Sequence, residues 1–177
     1  SKATFKTFED RFFRQTKFHC IISLLNIRYS EIVESSIYSM NILFMCVGNS
    51  ARSQIAEGLA KAMLSKEHQI QSAGSIPSGK VHPGAIACMK SIGIDISNHT
   101  SKSIDDLESD FMDNLDYVIT LCAEEVCPVL PTSATSLHWM HPDPVNINFD
   151  KAQEAEAFEH TRESIFKLLK KFLILNT

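Results

Sequence analysis

Five residues separate Cys46 from Arg52 in Cys46-Val-Gly-Asn-Ser-Ala-Arg52-Ser53, and the pattern suits the chemistry of a tetrahedral oxyanion. Gly48 and Asn49 tolerate positive φ, so backbone N–H groups along Val47, Gly48, Asn49, Ser50, Ala51 and Arg52 can turn inward as an anion nest. A helix beginning near Ser53 would add its positive end. Arg52 would grip two anion oxygens with one planar fork. The same field favours a thiolate on Cys46, with the Ser53 hydroxyl placed to donate to it. A thiolate under an oxyanion is a nucleophile aimed at phosphorus or arsenic. A buried strand-end cysteine and a surface arginine could share this spacing without any chemistry. The strand before, the Gly-Asn pair and the helix after weigh against that.

Those elements are legible around the loop. Asn41–Cys46 is an apolar run that reads as a buried strand, and Ser53–Ser65 carries Ile55, Leu59, Ala62 and Met63 on one helical face. A weaker strand covers residues 69–73. Pro83 opens a second helix running to about Ile92, where Gly93 stops it. Asp105–Leu115 reads as a third, polar helix, Asp116–Cys122 as the strongest strand, and Ser136–Trp139 as a fourth. Lys151–Leu175 is a long closing helix with Phe158, Ile165, Leu168, Leu169 and Phe172 on one side. Strands alternating with helices predict an α/β, doubly wound parallel sheet with ligands at its C-terminal strand ends.

Composition narrows the class further. The 177 residues are 44% hydrophobic and 21% charged, with six Gly and six Pro, which fits a globular domain and not a disordered or low-complexity chain. A net charge of −4 predicts no nucleic-acid partner, and no apolar run is long enough for a membrane span. Five cysteines, an odd number without CxxC pairs, point to a reducing, cytoplasmic setting. Charge also divides the chain. Residues 1–40 hold six Lys and Arg against four Asp and Glu, leaving the remainder at −6.

The run CVGNSARSQIAEG resembles the loop of the low-molecular-weight protein tyrosine phosphatases and of the arsenate reductases that share their fold. The resemblance spans about residues 41–170, through Ser72-Ala-Gly74, His99-Thr-Ser101 and Asp143-Pro144. It implies a small four-stranded parallel sheet flanked by helices. It also implies Cys46 as nucleophile, Arg52 on the oxyanion and Ser53 on the thiolate. Asn49 would brace the loop, with Ser72 and His99 behind it. Asp143, between Pro142 and Pro144, falls where the family places its general acid. Trp139 and His141 are read as a packed aromatic and a solvated histidine, and His82 as a surface turn residue.

The two branches differ after the covalent intermediate. A phosphatase hydrolyses it, whereas a reductase needs further thiols. Cys122 ends the strongest strand and Cys127 follows closely, as in the redox segment of the reductases. Gln54 stands where phosphatases usually have Pro, and Val145 where they commonly have a Tyr. The resemblance therefore implies arsenate reduction through a Cys46–Cys122–Cys127 relay, with phosphotyrosine hydrolysis as the alternative. The electron source would be an external thiol reductant, thioredoxin or glutaredoxin with glutathione. Only four residues lie between Cys122 and Cys127, fewer than is usual in the thioredoxin-coupled branch. Lys102 stands where some reductases carry an acidic potassium ligand, so no metal and no bound cofactor are expected. Cys20 and Cys88 are read as bystanders. Residues 40–177 are expected to form the catalytic domain. Residues 1–39 read as an N-terminal extension, a targeting segment or sequence upstream of a natural start at Met40.

Overall fold

A computed structural model describes residues 39–123, 130 and 132–176. The first strand, β1 (Asn41–Cys46), is apolar on both faces and sits inside the sheet. It feeds through the anion loop into α1 (Arg52–Met63). There follow β2 (Gln69–Gly74), α2 (Pro83–Lys90), a 3₁₀ turn (Ile104–Asp106), α3 (Ser109–Asp113), β3 (Tyr117–Cys122), β4 (Thr135–His141) and α4 (Lys151–Asn176). All strand pairs are parallel and the order is β2-β1-β3-β4. The chain therefore reverses its direction of sheet growth at β1. The C-terminal end of that strand is the crevice where such sheets bind ligands.

Alternation along β1 divides the core. Ile42, Phe44 and Cys46 face the layer built with α1, α2 and α4, which contributes Ile55, Met89, Phe158, Ile165 and Leu169. Leu43 and Met45 face a smaller layer with Leu107, Phe111 and Leu115. The closing helix buries Phe158, Ile165, Leu169 and Phe172 as its spacing predicts, while Leu168 is half-buried. Among the described residues no helix is long and apolar enough to cross a membrane.

Three elements differ from the sequence reading. The predicted helix over 105–115 is broken in two, because Leu107 and Glu108 are extended and Leu107 turns into the smaller layer. A reciprocal cap between Ser103 and Asp106 fixes the start of the 3₁₀ turn, and the extended Leu107 ends it. Helix α1 is not amphipathic over its first two turns: every residue from Arg52 to Ala60 is buried. The fourth strand extends to His141, and this brings the acid loop directly to the sheet end.

Candidate active site

Hydrogen bonding from outside shapes the loop after β1. The carbonyl of Val47 accepts from Ile76 N at 3.0 Å, that of Gly48 from Ser78 N at 2.9 Å, and that of Ser50 from His82 N at 2.8 Å. Ser101 Oγ also donates to Gly48 O at 3.0 Å. The Asn49 carbonyl accepts from Gln54 Nε2 at 3.1 Å, and that of Ala51 from Ile55 N at 2.9 Å. Every peptide among the described residues is trans, so the N–H following each carbonyl points the opposite way. The N–H groups of Gly48 through Arg52 thus face away from the braced carbonyls, as an anion nest requires.

Asn49 takes the left-handed conformation, at φ 43°, but Gly48 does not. The sequence expectation of positive φ at both is corrected accordingly. The glycine that close approach does demand is Gly74, at the end of β2. A Cβ there would lie 2.4 Å from the Val47 carbonyl oxygen and 2.9 Å from Asn49 N.

Inside the loop, Cys46 Sγ lies 3.0 Å from Ser53 Oγ, and both residues are buried. Asn49 Nδ2 donates to Ser53 Oγ and to Ser72 Oγ, each at 2.9 Å. Ser72 Oγ in turn donates to Glu57 Oε2 at 2.5 Å. Burial alone would raise the Glu57 carboxyl. Hydrogen bonds from Lys61 and Ser72, with the charges of Lys61 and Lys102, outweigh it and hold the group below the usual carboxylate range. The Lys102 ammonium stands 4.0 Å from Glu57 Oε2. Among the described residues no group of three or more His, Cys, Asp or Glu gathers as a metal site.

Arg52, the residue expected to grip the anion, is itself anchored. Its Nη1 donates to the His141 carbonyl and its Nη2 to Asp143 Oδ2, both at 3.1 Å. Asp143 Oδ1 accepts from Val145 N at 3.0 Å, which fixes the carboxylate at the mouth with nearly half its surface exposed. His141 is not solvated as expected. It is buried, with Nδ1 on the Trp139 carbonyl and Nε2 on Ser164 Oγ. Burial, with repulsion from Arg52 and His160, outweighs the Trp139 hydrogen bond and keeps its pKa low. His82 is likewise no simple surface residue. It caps α2 by accepting from Gly84 N, stacks on Phe158 and ties its backbone to Ser50.

Cys122 ends β3 fully buried. Ile119 and Leu121 lie in the same layer as Cys46, and Val118 lies in the opposite one. Strict alternation would send Cys122 to Val118's side. Cys122 instead joins the layer that holds Cys46, and beside it β4 carries one extra residue between His138 and His141. Cys127 and Cys20 lie outside the described residues. Cys88 packs beneath Arg162, which donates to its carbonyl, and burial pushes the thiol's pKa up. His99 reaches the loop indirectly, through Gln54 at 2.9 Å. The sequence reading gave no role to Glu57. Its one signal was a carboxylate five residues beyond Arg52 on a helix that must pack on the sheet.

A model of the low molecular weight phosphotyrosine protein phosphatase family matches residues 41–176. The chain belongs to that family. Within this phosphatase-fold family, an arsenate reductase of Bacillus subtilis is 42% identical over 133 residues, covering 74% of this chain and 93% of the relative. A solved arsenate reductase in the phosphate-binding state superposes with a TM-score of 0.61 at 31% identity, over 78% of this chain and 99% of the other. A thioredoxin-dependent arsenate reductase of Corynebacterium glutamicum does so with a TM-score of 0.55 at 30% identity, over 84% and 68%.

Proposed function

We propose that this chain reduces arsenate to arsenite, with catalysis in residues 40–177 and residues 1–39 as an extension. The observation that carries this reading is the place of Cys122. Hydrolysis has no use for a second thiol turned into the nucleophile's layer at the adjacent strand end, whereas a redox relay depends on one.

Arsenate binds the amides of 48–52 and the Arg52 fork. The Cys46 thiolate attacks arsenic(V), and Asp143 protonates the departing oxygen, which leaves as water. Cys122 then attacks the Cys46 sulfur. The sulfur–arsenic bond breaks with its electron pair moving to arsenic, so arsenite leaves as arsenic(III) and a Cys46–Cys122 disulfide remains. Cys127 attacks Cys122 and releases Cys46. Two thiols are oxidised for each two-electron reduction of arsenic. An external thiol reductant, thioredoxin or glutaredoxin with glutathione, restores the Cys122–Cys127 pair in a reducing cytoplasm. Likeness to a thioredoxin-dependent reductase supports the first of these donors. Neither a resident metal nor a bound cofactor enters any step.

Replacing Cys122 by serine separates this reading from phosphatase action. Arsenate turnover should collapse while slow hydrolysis of an aryl phosphate persists. Undiminished arsenate reduction in that variant would overturn the relay.

A further inference from the structure

Gln54 is fully buried on the first turn of α1, and its side chain meets the anion loop from behind, at Asn49. Its Nε2 lies 3.1 Å from the Asn49 carbonyl, 3.0 Å from Asn49 Oδ1 and 3.0 Å from the Thr100 carbonyl. Three oxygens around one nitrogen fix the amide's orientation without ambiguity. The oxygen, Oε1, therefore faces His99, and His99 must donate from Nδ1. Burial lowers the His99 pKa, so this neutral tautomer persists at neutral pH.

The consequence runs through Asn49. Its Oδ1 receives Gln54 Nε2 on one side and the Lys102 backbone N–H, at 2.9 Å, on the other. With the oxygen held there, Nδ2 must face Ser53 and Ser72. Ser53 Oγ accepts that N–H and has its own proton left for Cys46 Sγ. Ser72 likewise accepts, and donates to Glu57.

We infer that Gln54 is a positioning residue that sets the direction of this hydrogen-bond chain, so that the Ser53 proton always points at the Cys46 sulfur. The inference rests on Cys46 being the nucleophile, as proposed above, but not on arsenate being the substrate. Without the Gln54 donor, the Lys102 N–H alone is left on the Asn49 oxygen among the described residues, and giving it up lets the amide turn over and present its oxygen to Ser53. The Ser53 proton is then drawn to Asn49 instead of to Cys46.

The test is a double-mutant cycle on the full chain. Gln54→Met keeps the volume and removes both polar atoms. Gln54→Glu keeps an acceptor for His99 but cannot donate to Asn49. Ser53→Ala removes the hydroxyl on which Gln54 is inferred to act. The readouts are arsenate kcat and KM, and the rate at which neutral iodoacetamide alkylates Cys46. Each Gln54 variant should lower kcat about tenfold, the scale of one hydrogen bond to an ionised group, with little change in KM. Each should also change the alkylation rate in the same direction as Ser53→Ala. Adding Gln54→Met to Ser53→Ala should change neither readout further. Parent-like behaviour of Gln54→Glu, or losses that multiply with Ser53→Ala, would overturn the inference. Should Gln54→Met fail to fold, the Gln54→Glu comparison decides alone. If the parent reduces no arsenate, the functional reading fails, while the alkylation cycle still tests the role of Gln54.

Discussion

The Asp143 carboxylate rests on the Arg52 guanidinium at 3.1 Å, joining the loop after β4 to the first turn of α1. Arg52 is almost wholly buried and Asp143 is nearly half exposed, so the pair spans the boundary between the cradle and solvent. An incoming oxyanion would meet both groups at once. One would grip its equatorial oxygens, and the other would stand over the oxygen that must leave.

Asp143→Asn keeps the shape of this pair but cannot donate a proton in the same way. We expect kcat for aryl phosphate hydrolysis to fall about 10²-fold, the lower end of the range for general-acid catalysis. The loss should be greater with phenyl phosphate than with p-nitrophenyl phosphate, whose leaving group needs less help. Equal losses on both esters would assign Asp143 a purely structural role.

Cys46→Ser should abolish arsenate reduction and ester hydrolysis together. The oxyanion site should survive, because the cradle is built from backbone amides and Arg52. Phosphate binding measured by calorimetry should therefore persist in a variant with no turnover.

Gly74→Ala should disable the site without touching a reacting group. The added methyl would drive into the Val47 carbonyl and Asn49 N, which are backbone atoms and cannot swing aside. We expect a cost of about 1–3 kcal/mol in urea unfolding, as for other overpacking substitutions. Phosphate affinity should fall with it, which separates Gly74→Ala from Cys46→Ser.

Acid should destabilise the fold in two windows. His141 and His99 have folded pKa values lowered chiefly by burial, so the unfolded chain binds more protons than the folded one. Stability from these groups is complete above about pH 6.5, the ordinary histidine value, and is lost as pH falls toward their lower folded values. The lowered Glu57 carboxyl contributes stability present above the ordinary carboxylate range and lost as pH falls below it. Urea titrations from pH 7.5 to 5 should show the histidine slope. His141→Gln should flatten it by up to one proton, and an unchanged slope would exclude His141 as a contributor.

The anion loop was legible because all its parts are local: cysteine, glycine, arginine and helix start lie within eight residues. The middle of the sheet was legible because β1 and β3 are short apolar runs between breakers, whereas the outer strands β2 and β4 carry a weaker, mixed pattern. The outer support of the loop was not, since Ser78 and His82 reach it through backbone N–H groups and Ser101 through its hydroxyl, contacts that leave no periodic trace. Nor could alternation place Cys122, which shares a core layer with its neighbour Leu121 instead of alternating with it. The break in the predicted third helix arises from Leu107 being drawn into the smaller core layer, a tertiary effect that overrides local propensity.

A mould whose five carbonyls are all held on its outer side has one further consequence. It recognises a charge and a tetrahedron, and arsenate and phosphate share both. Selectivity cannot reside in the first encounter, so inorganic phosphate in the cell must occupy the same seat and compete for it. What separates the two ions is the exit. Arsenic can accept an electron pair when its sulfur bond breaks and phosphorus does not, so phosphate leaves as it came.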